Sequence, residues 1–527
     1  VVWLLVVTSL GLSACVEQDR LRNEALSGTP IAHPVSVCGR QSPVSTRAPV
    51  NAVVVDPSIV ADLSAKTTAH PPGTTFWLAA GTHRLVDDRY GQVRPKDGNT
   101  YLGAQGAVLD GRGMNRYAFT GLATNVTIKD LAVRGFVPPV NEGVVNHDSG
   151  AGWVIEGNTL IDNRGAALMV GARQIVRGNC IKDNGQYGLN ACCGTLGQIQ
   201  IVGNEFVGNN ADDLESRIKG CGCSGAMKFW RVNGADVRAN WIHDNHGPGI
   251  WADTGNNDFV IESNLVEGND GPAIFYEASY NAIIRHNLLR RNNLVQGKEF
   301  VARKSNFPTA AVYVSESGGE PRIPARTALI DIYGNVLEDN WSGITLWENA
   351  DRFCNSPANT SSGVCTLLVK NMTECRRPAI ASAPLFADCR WRTKNVSIHG
   401  NRFSVDPATL HCADRCAQMA LLSNYGTFPA WSPYKGDVVQ KAITFAQQNR
   451  WYDNTYLGPW RFVAFDATGH LAWDAWRRAP YRQDRGSTLT SSTAPTHSDA
   501  TGTGSETRGG DRPPADRPLS PGPTDIE

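Results

Sequence analysis

Charge is scarce in this chain. Only 19 % of its 527 residues are Asp, Glu, Lys or Arg, and 50 acidic and 50 basic side chains cancel to a formal charge of +0 with a sequence pI near 7.2. So balanced a field excludes a nucleic-acid coat and a polybasic membrane patch. Long apolar runs are missing too: the uncharged stretch Val1 to Leu12 is too short to cross a bilayer as a helix. Neither a leucine-rich frame nor a 3.6-residue apolar period runs through the chain, which argues against horseshoe and helical repeats. No cofactor fingerprint is present, and no loop carries several acids at the fixed spacing of a dedicated calcium site.

What the chain does have is glycine, 52 residues of it, among 41 % apolar residues, a mixture that fits one large ordered domain rich in turns. Thirteen cysteines favour an oxidising space outside the cytoplasm. Val1 to Leu12 reads as the core of a signal peptide. Because an initiator Met and a positive lead are missing, the sequence is expected to begin part-way into that signal or at an alternative start. The run ends Gly11-Leu12-Ser13-Ala14-Cys15, similar to a bacterial lipoprotein cleavage box, with Leu12 where ordinary signal peptidase prefers a small residue. Cys15 is the expected lipidation site, and that lipid the only expected membrane contact; plain secretion with Cys15 in a disulfide is the alternative. The expected location is extracytoplasmic, lipid-anchored at the cell surface or secreted. Residues 1–15 are then the signal, 16–70 a polar tether and lead-in, 466–485 a C-terminal cap, and 486–527, without a single aromatic residue, a disordered tail.

The stretch between is too long for one ordinary globular core, which directs attention to repeats. Asn recurs in the frame apolar-x-x-Asn-x-apolar-x-x-Asn, in the pairs Asn158/Asn163, Asn179/Asn184, Asn204/Asn209, Asn240/Asn245, Asn264/Asn269, Asn287/Asn292 and Asn335/Asn340. First members are 21, 25, 36, 24, 23 and 48 residues apart, so 36 reads as one period plus an insertion and 48 as about two periods. Asn449/Asn454 repeats the frame 48 residues after Asn401. Three residues before each first Asn stands Ile155, Val176, Ile201, Val237, Ile261, Ile284, Ile332 or Ile398. Two residues after it stands Leu160, Ile181, Phe206, Ile242, Val266, Leu289 or Leu337. These positions are predicted to face a common interior, with strands pairing from one turn of a coil to the next and the Asn side chains stacked in ladders.

Thr75-Phe76-Trp77-Leu78-Ala79-Ala80-Gly81-Thr82-His83 and Gly98-Asn99-Thr100-Tyr101-Leu102-Gly103 look like opening rungs. Asn449-Arg450-Trp451-Tyr452-Asp453-Asn454 and Gly458-Pro459-Trp460 look like a last rung and cap. With these segments and the Asn frame, the chain resembles right-handed parallel β-helix proteins of the pectate-lyase-like superfamily, over about residues 75–465. The resemblance implies an all-β fold, a right-handed parallel β-helix built as a solenoid of about 24-residue rungs. It is expected over 71–465 with loop insertions at 210–226, 294–309 and 350–390. In such proteins the corresponding face commonly binds polysaccharide. Setting Cys15 aside leaves an even number of cysteines. Cys192, Cys193, Cys221 and Cys223 would staple the first insertion; Cys354/Cys365, Cys375/Cys389 and Cys412/Cys416 would staple the excursion after Glu348. A zinc site at the first four is the rival, weakened by adjacent thiolates, and no metal is assigned.

Aligning rungs by the Asn frame puts Met227-Lys228-Phe229-Trp230, Ile250-Trp251-Ala252-Asp253, Ile274-Phe275-Tyr276-Glu277, Val312-Tyr313-Val314-Ser315-Glu316 and Ile344-Thr345-Leu346-Trp347-Glu348 side by side. Alternation turns Lys228, Trp251, Phe275, Tyr313 and Thr345 outward, with Trp230, Asp253, Glu277, Ser315 and Trp347 beside them. Such a strip suits an extended glycan, whose rings stack on aromatics while carboxylates bond its hydroxyls. Candidate binding residues are Trp230, Trp251, Phe275, Tyr313, Glu316, Trp347, Glu348 and Asp270.

Candidate catalytic residues are Asp253, Glu277, Lys228 and His246. Asp253 and Glu277 suit a glycosidase pair, one of them raised in pKa by burial beside Trp251 and Phe275. Lys228 suits a β-elimination or a plain ion pair with Asp253. His246, near His243 and Asp244 on the leading turn, could act as a base oriented by Asp270, with His286 farther off. Calcium is possible where Asp253, Glu277 or Asp270 converge.

Polygalacturonase-like hydrolases carry four motifs in order. Here only Asp212-Asp213 and Arg217-Ile218-Lys219 match, crowded into one insertion. The Asp-Pro-His-Glu signature of alginate-epimerase relatives is absent and the arginine motif of pectate lyases cannot be placed, so no named activity carries over. The expected function is polysaccharide engagement by a monomer, with lyase or hydrolase chemistry open. The alternatives are a non-catalytic glycan-binding or adhesin-like surface protein and a structural spacer.

Overall fold

The computed structural model describes residues 36–39, 46–148, 150–192, 196–218, 221–349, 392–412, 415–424, 444–465 and 469–491. Cys15, the 350–390 insertion, Cys354/Cys365, Cys375/Cys389 and the tail beyond residue 491 lie outside them.

Successive turns of the chain place short strands in three sheets, and neighbouring turns pair in parallel. The first sheet has 13 strands, from Val53–Val55 to Arg450–Tyr452; the second has 13, from Gly81–Arg84 to Thr488–Thr490; the third has 10, from Gly143–Val145 to Arg461–Phe465. This is a right-handed parallel β-helix. Strands of the solenoid begin before the expected residue 71, at Val53–Val55, and end after 465, where Thr488–Thr490, in the first residues of the expected tail, adds a strand to the second sheet.

Why the chain coils here is visible at two of its corners. The residue ahead of each ladder Asn takes a left-handed backbone, as at Gly157 (φ 65°), Asp162 (φ 54°) and Gly203 (φ 63°), which turns the strand without loss of chain. The Asn then donates its amide to a carbonyl of the previous rung and to the next Asn: Asn240 Nδ2 lies 2.9 Å from Ile201 O and 3.0 Å from Asn264 Oδ1. One ladder runs from Asn158 through Asn179, Asn204, Asn240, Asn264, Asn287, Asn335 and Asn401 to Asn454. The other links Asn163, Asn184, Asn209, Asn245, Asn269, Asn292 and Asn340. The predicted interior positions, Ile155 to Ile398 and Leu160 to Leu337, are all buried.

Two readings of the spacing are corrected by these ladders. Asn287 bonds directly to Asn335, so the 48-residue step is one enlarged rung rather than two periods. Asn454 rather than Asn449 stacks on Asn401, and Trp451 pairs with Ile398. Asn449 instead bonds Thr393 O and Val396 N at the third corner. An Asn–x₄–Asn spacing arises there from two different corners.

Insertions gather around the third sheet. The 210–226 segment, with the helix Leu214–Arg217, and the 294–309 segment, with the helix Leu294–Ala302, both precede strands of that sheet.

On the second sheet, Cys38 is bridged to Cys180 across 142 residues, which fastens the expected tether to the solenoid at this point. The neighbouring Glu205 accepts bonds from Val37 N (2.6 Å), Cys38 N (2.8 Å) and Ser36 Oγ (2.9 Å), and lies 3.2 Å from His243 Nε2. Burial would raise the Glu205 carboxyl, but His243 and these donors bring it down to about 2. Burial would lower His243, but Asp244 and Glu205 bring it up to about 9. The carboxylate therefore stabilises fully above its ordinary value of 4.5 and loses this as pH falls toward about 2; the imidazolium stabilises fully below 6.5 and loses this as pH rises toward about 9. The loss of thermal stability in Glu205→Gln should be largest between those ordinary values and shrink on both sides. A difference that stays flat with pH would show that charge does not hold the clip.

Candidate functional site

The outward side chains of the third sheet form the predicted columns. Asn190, Lys228, Trp251, Phe275, Tyr313 and Thr345 stand in register. Glu277, Ser315 and Trp347 form the column beside them, with Trp230 and Asp253 one residue beyond Met227–Phe229 and Ile250–Ala252. Because rungs repeat at roughly 4.8 Å, flat side chains in one column must stack. Ring centroids are 5.2 Å apart for Trp251 and Phe275 and 4.6 Å for Phe275 and Tyr313, with interplanar angles of 18° and 12°. Trp347 continues the ribbon 6.2 Å from Tyr313.

A polar cluster closes one end of the ribbon. Lys228 Nζ lies 3.0 Å from Asp253 Oδ2, 3.9 Å over the Trp251 ring, and donates to Gly222 O at 2.7 Å. Asp253 Oδ1 accepts from Thr254 N and Oγ1 at 2.6 and 3.0 Å. Trp251 Nε1 donates to Glu277 Oε2 at 2.9 Å, and Tyr187 OH donates to Gly222 O at 2.7 Å. Burial would lower the Lys228 pKa, but Tyr187, Asp253 and Glu277 outweigh it and hold the ammonium above its ordinary range. Burial pushes the Tyr187 hydroxyl up to about 12. Both are therefore held in their protonated forms, Lys228 as the ammonium partner of Asp253.

The strip is roofed at both ends. Lys228, Asp253 and Glu277 are only 9, 3 and 2 % exposed. Over them lies the loop closed by the Cys221–Cys223 disulfide. At Gly222 (φ +54°) a Cβ would stand 3.1 Å from both Lys228 Nζ and the Trp251 ring, so a side chain there would have to push both aside. Glu215, Cys221 and Cys223 bring donor atoms within 4.8 Å of one another, but with the two sulfurs bonded together the set offers a cation one carboxylate. Toward the other end, Phe307 packs edge-on against Tyr313 (5.5 Å) and Trp347 (5.2 Å), and Pro308 O accepts from Thr345 Oγ1 at 2.6 Å. Phe275, Tyr313, Trp347 and Trp230 remain partly exposed between the roofs.

The other candidates lie apart. Glu316 (φ 43°) is buried and accepts from Ser315 Oγ at 2.9 Å; Glu348 is buried and accepts from Thr393 N at 3.1 Å and Gln447 Nε2 at 2.6 Å. Both belong to packed corners rather than to an open face. His246 and Asp270 do meet, at 3.0 Å, on the turns preceding Ile250–Ala252 and Ile274–Glu277. His243 faces Glu205 on the second sheet, and His286 (φ 53°) occupies a left-handed corner between the first and second sheets. Among the described residues Asp253, Glu277 and Asp270 do not gather into one calcium site, since Asp270 takes His246 as partner and Asp253 takes Lys228. Tyr187, Gly222 and Phe307 were not legible as site residues. The only hint was a glycine held between two cysteines.

Residues 142–353 match the family described as right handed beta helix region. No curated protein sequence matches the chain. Among solved structures, the catalytic unit of a GH87 alpha-1,3-glucanase from Streptomyces thermodiastaticus is 15 % identical, with 82 % of this chain and 71 % of that chain covered and a TM-score of 0.46. The A-module of a mannuronan C-5 epimerase from Azotobacter vinelandii is 12 % identical, with 86 % and 98 % covered and a TM-score of 0.39. A periplasmic alginate epimerase is 13 % identical, with 72 % and 81 % covered and a TM-score of 0.34. No helix among the described residues is long and apolar enough to cross a membrane.

Proposed function

We propose that the third sheet is the polysaccharide-binding wall of a monomeric extracytoplasmic protein, lipid-anchored through Cys15 or secreted. The observation that carries this is the ring ribbon Trp251–Phe275–Tyr313–Trp347, stacked over successive rungs and partly open between two roofs. Such a ribbon presents an extended apolar ridge to the C–H faces of sugar rings, with Ser315 and Trp230 beside it. Because the partly exposed rings of the ribbon are uncharged, the wall suits hydroxyl-rich neutral glycans. The disulfides support an oxidising compartment.

Hydrolysis is the second reading, favoured by Asp253 and Glu277 standing on adjacent rungs, with Lys228 3.0 Å from Asp253. In it the two acids serve as the carboxylate pair, Lys228 holds their charge, and His246 with Asp270 lies at the rim. Incubating the full chain with neutral glycans and polyuronates separates these readings. Binding of a neutral glycan without new reducing ends, weakened about tenfold by Phe275→Ala, is expected. Reducing ends abolished by Glu277→Gln would replace binding with hydrolysis. Neither binding nor product would leave a spacer.

A further inference from the structure

A second polar cavity lies at the end of the first sheet, away from the ribbon. The outward column Arg285, Tyr333, His399, Tyr452 stands in register there, and the rings of Tyr333 and His399, and of His399 and Tyr452, stack at 5.1 and 4.7 Å. Arg450–Tyr452 is the last strand of that sheet, and the chain returns past its edge, where Asp484 N donates to Trp451 O at 2.7 Å and Tyr452 bridges to Arg485. Strand and returning segment flank an open cavity of about 880 Å³, lined in part by Ser397, Arg450, Tyr452, Asp453, Arg482 and Arg485.

Three arginines thus line one cavity with a single acidic residue. Arg450 donates to Gln448, and no ion pair among the described residues neutralises any of the three. Their roots are fixed. Asp484, fully buried between Arg482 and Arg485, accepts from Trp476 Nε1 at 2.7 Å, Ser487 Oγ at 2.7 Å and Tyr456 OH at 3.0 Å. Like charges held together without partners repel, and an oxyanion relieves this through the planar donor fork of arginine. The volume is far larger than a bare oxyanion needs and falls within the range of small-ligand sites. Ser397 Oγ and Tyr452 OH, 3.1 Å apart, offer the hydroxyl contacts a sugar uses.

We propose that this cavity binds an acidic saccharide, a sugar unit carrying a carboxylate or a sulfate ester. The proposal is independent of the third-sheet wall. Calorimetric titration of the full chain with a trimeric oligouronate, a sulfated disaccharide, a neutral trisaccharide and inorganic phosphate tests it. One or both acidic sugars should bind, the better of the two identifying the group. Arg450→Gln with Arg485→Gln should weaken binding by about tenfold or more, Arg485→Lys by less, and Phe275→Ala not at all. Because Arg450 and Arg485 are exposed, the variants should keep the parent's thermal unfolding. Equal binding of the neutral sugar, phosphate binding as tight as the acidic sugars, affinity unchanged by the arginine substitutions, or no binding of any probe would each overturn it.

Discussion

Replacing Lys228 by Met is expected to destabilise the folded chain by about 3–5 kcal/mol, read as a lower urea midpoint. The aliphatic stem and its packing on Trp251 are largely kept in this variant, while the ammonium is removed from beside Asp253, 3.0 Å away and only 3 % exposed. Asp253 is then left in a roofed site without its ion-pair partner, still accepting from Thr254, while Glu277 keeps the Trp251 indole. Adding Asp253→Asn should return part of the loss, since it removes one stranded charge; the coupling between the two substitutions should fall in the range of about 0.5–3 kcal/mol. Lys228 has its pKa raised, so its contribution is complete below the ordinary value of 10.5 and is lost only above it. The deficit of the Met variant should therefore be constant from mildly acidic to mildly alkaline pH. A deficit near zero, or one that Asp253→Asn deepens, would mean that the Cys221–Cys223 loop holds the cluster without help from charge.

Much of the fold was legible because one chemical device recurs from rung to rung after Asn158. An Asn that bridges to both neighbours leaves a sequence mark on each of those rungs, and the β-branched residue three positions earlier marks the interior. Strand register on the third sheet followed from the same frame, so the Trp251, Phe275 and Tyr313 stack was predictable. What the frame could not carry was loop length: between Asn287 and Asn335 the chain makes a single turn, because the added residues leave before and after the strand Val312–Ser315 without adding a further ladder Asn. Alternation along a strand distinguishes inside from outside the coil, not covered from open. For that reason Asp253 and Glu277 read as outward acids, while the Gly222 loop that buries them comes from a segment without periodicity. The Cys38–Cys180 bridge was hidden for a similar reason, since its partners lie 142 residues apart and share no local pattern.

Substituting Asn240 by Ala should be among the most damaging single changes to the solenoid, lowering stability by about 3–5 kcal/mol. Its Oδ1 accepts from Asn204 N and Nδ2, both at 3.0 Å, while its own Nδ2 donates to Ile201 O at 2.9 Å and Asn264 Oδ1 at 3.0 Å. Alanine leaves a buried N–H and a buried carbonyl on neighbouring rungs without partners, and no water reaches a residue that is 0 % exposed. Asn233 is the control: it is exposed, makes one side-chain bond to Asn257 at 2.8 Å, and its replacement by Ala should cost under about 1 kcal/mol. Asn240→Asp separates hydrogen-bond geometry from charge. A carboxylic acid there can still accept from Asn204 and donate once, whereas a carboxylate faces Ile201 O and Asn264 Oδ1 without a proton to share. The folded state should hold that group protonated, so its pKa rises above the unfolded value of about 3.9, and stability should fall as pH rises through and beyond that value. The Asp variant should thus approach the parent in acid and resemble or fall below the Ala variant at neutral pH. Equal loss at every pH would show that shape at the corner, not the proton shared along the ladder, is what the Asn supplies.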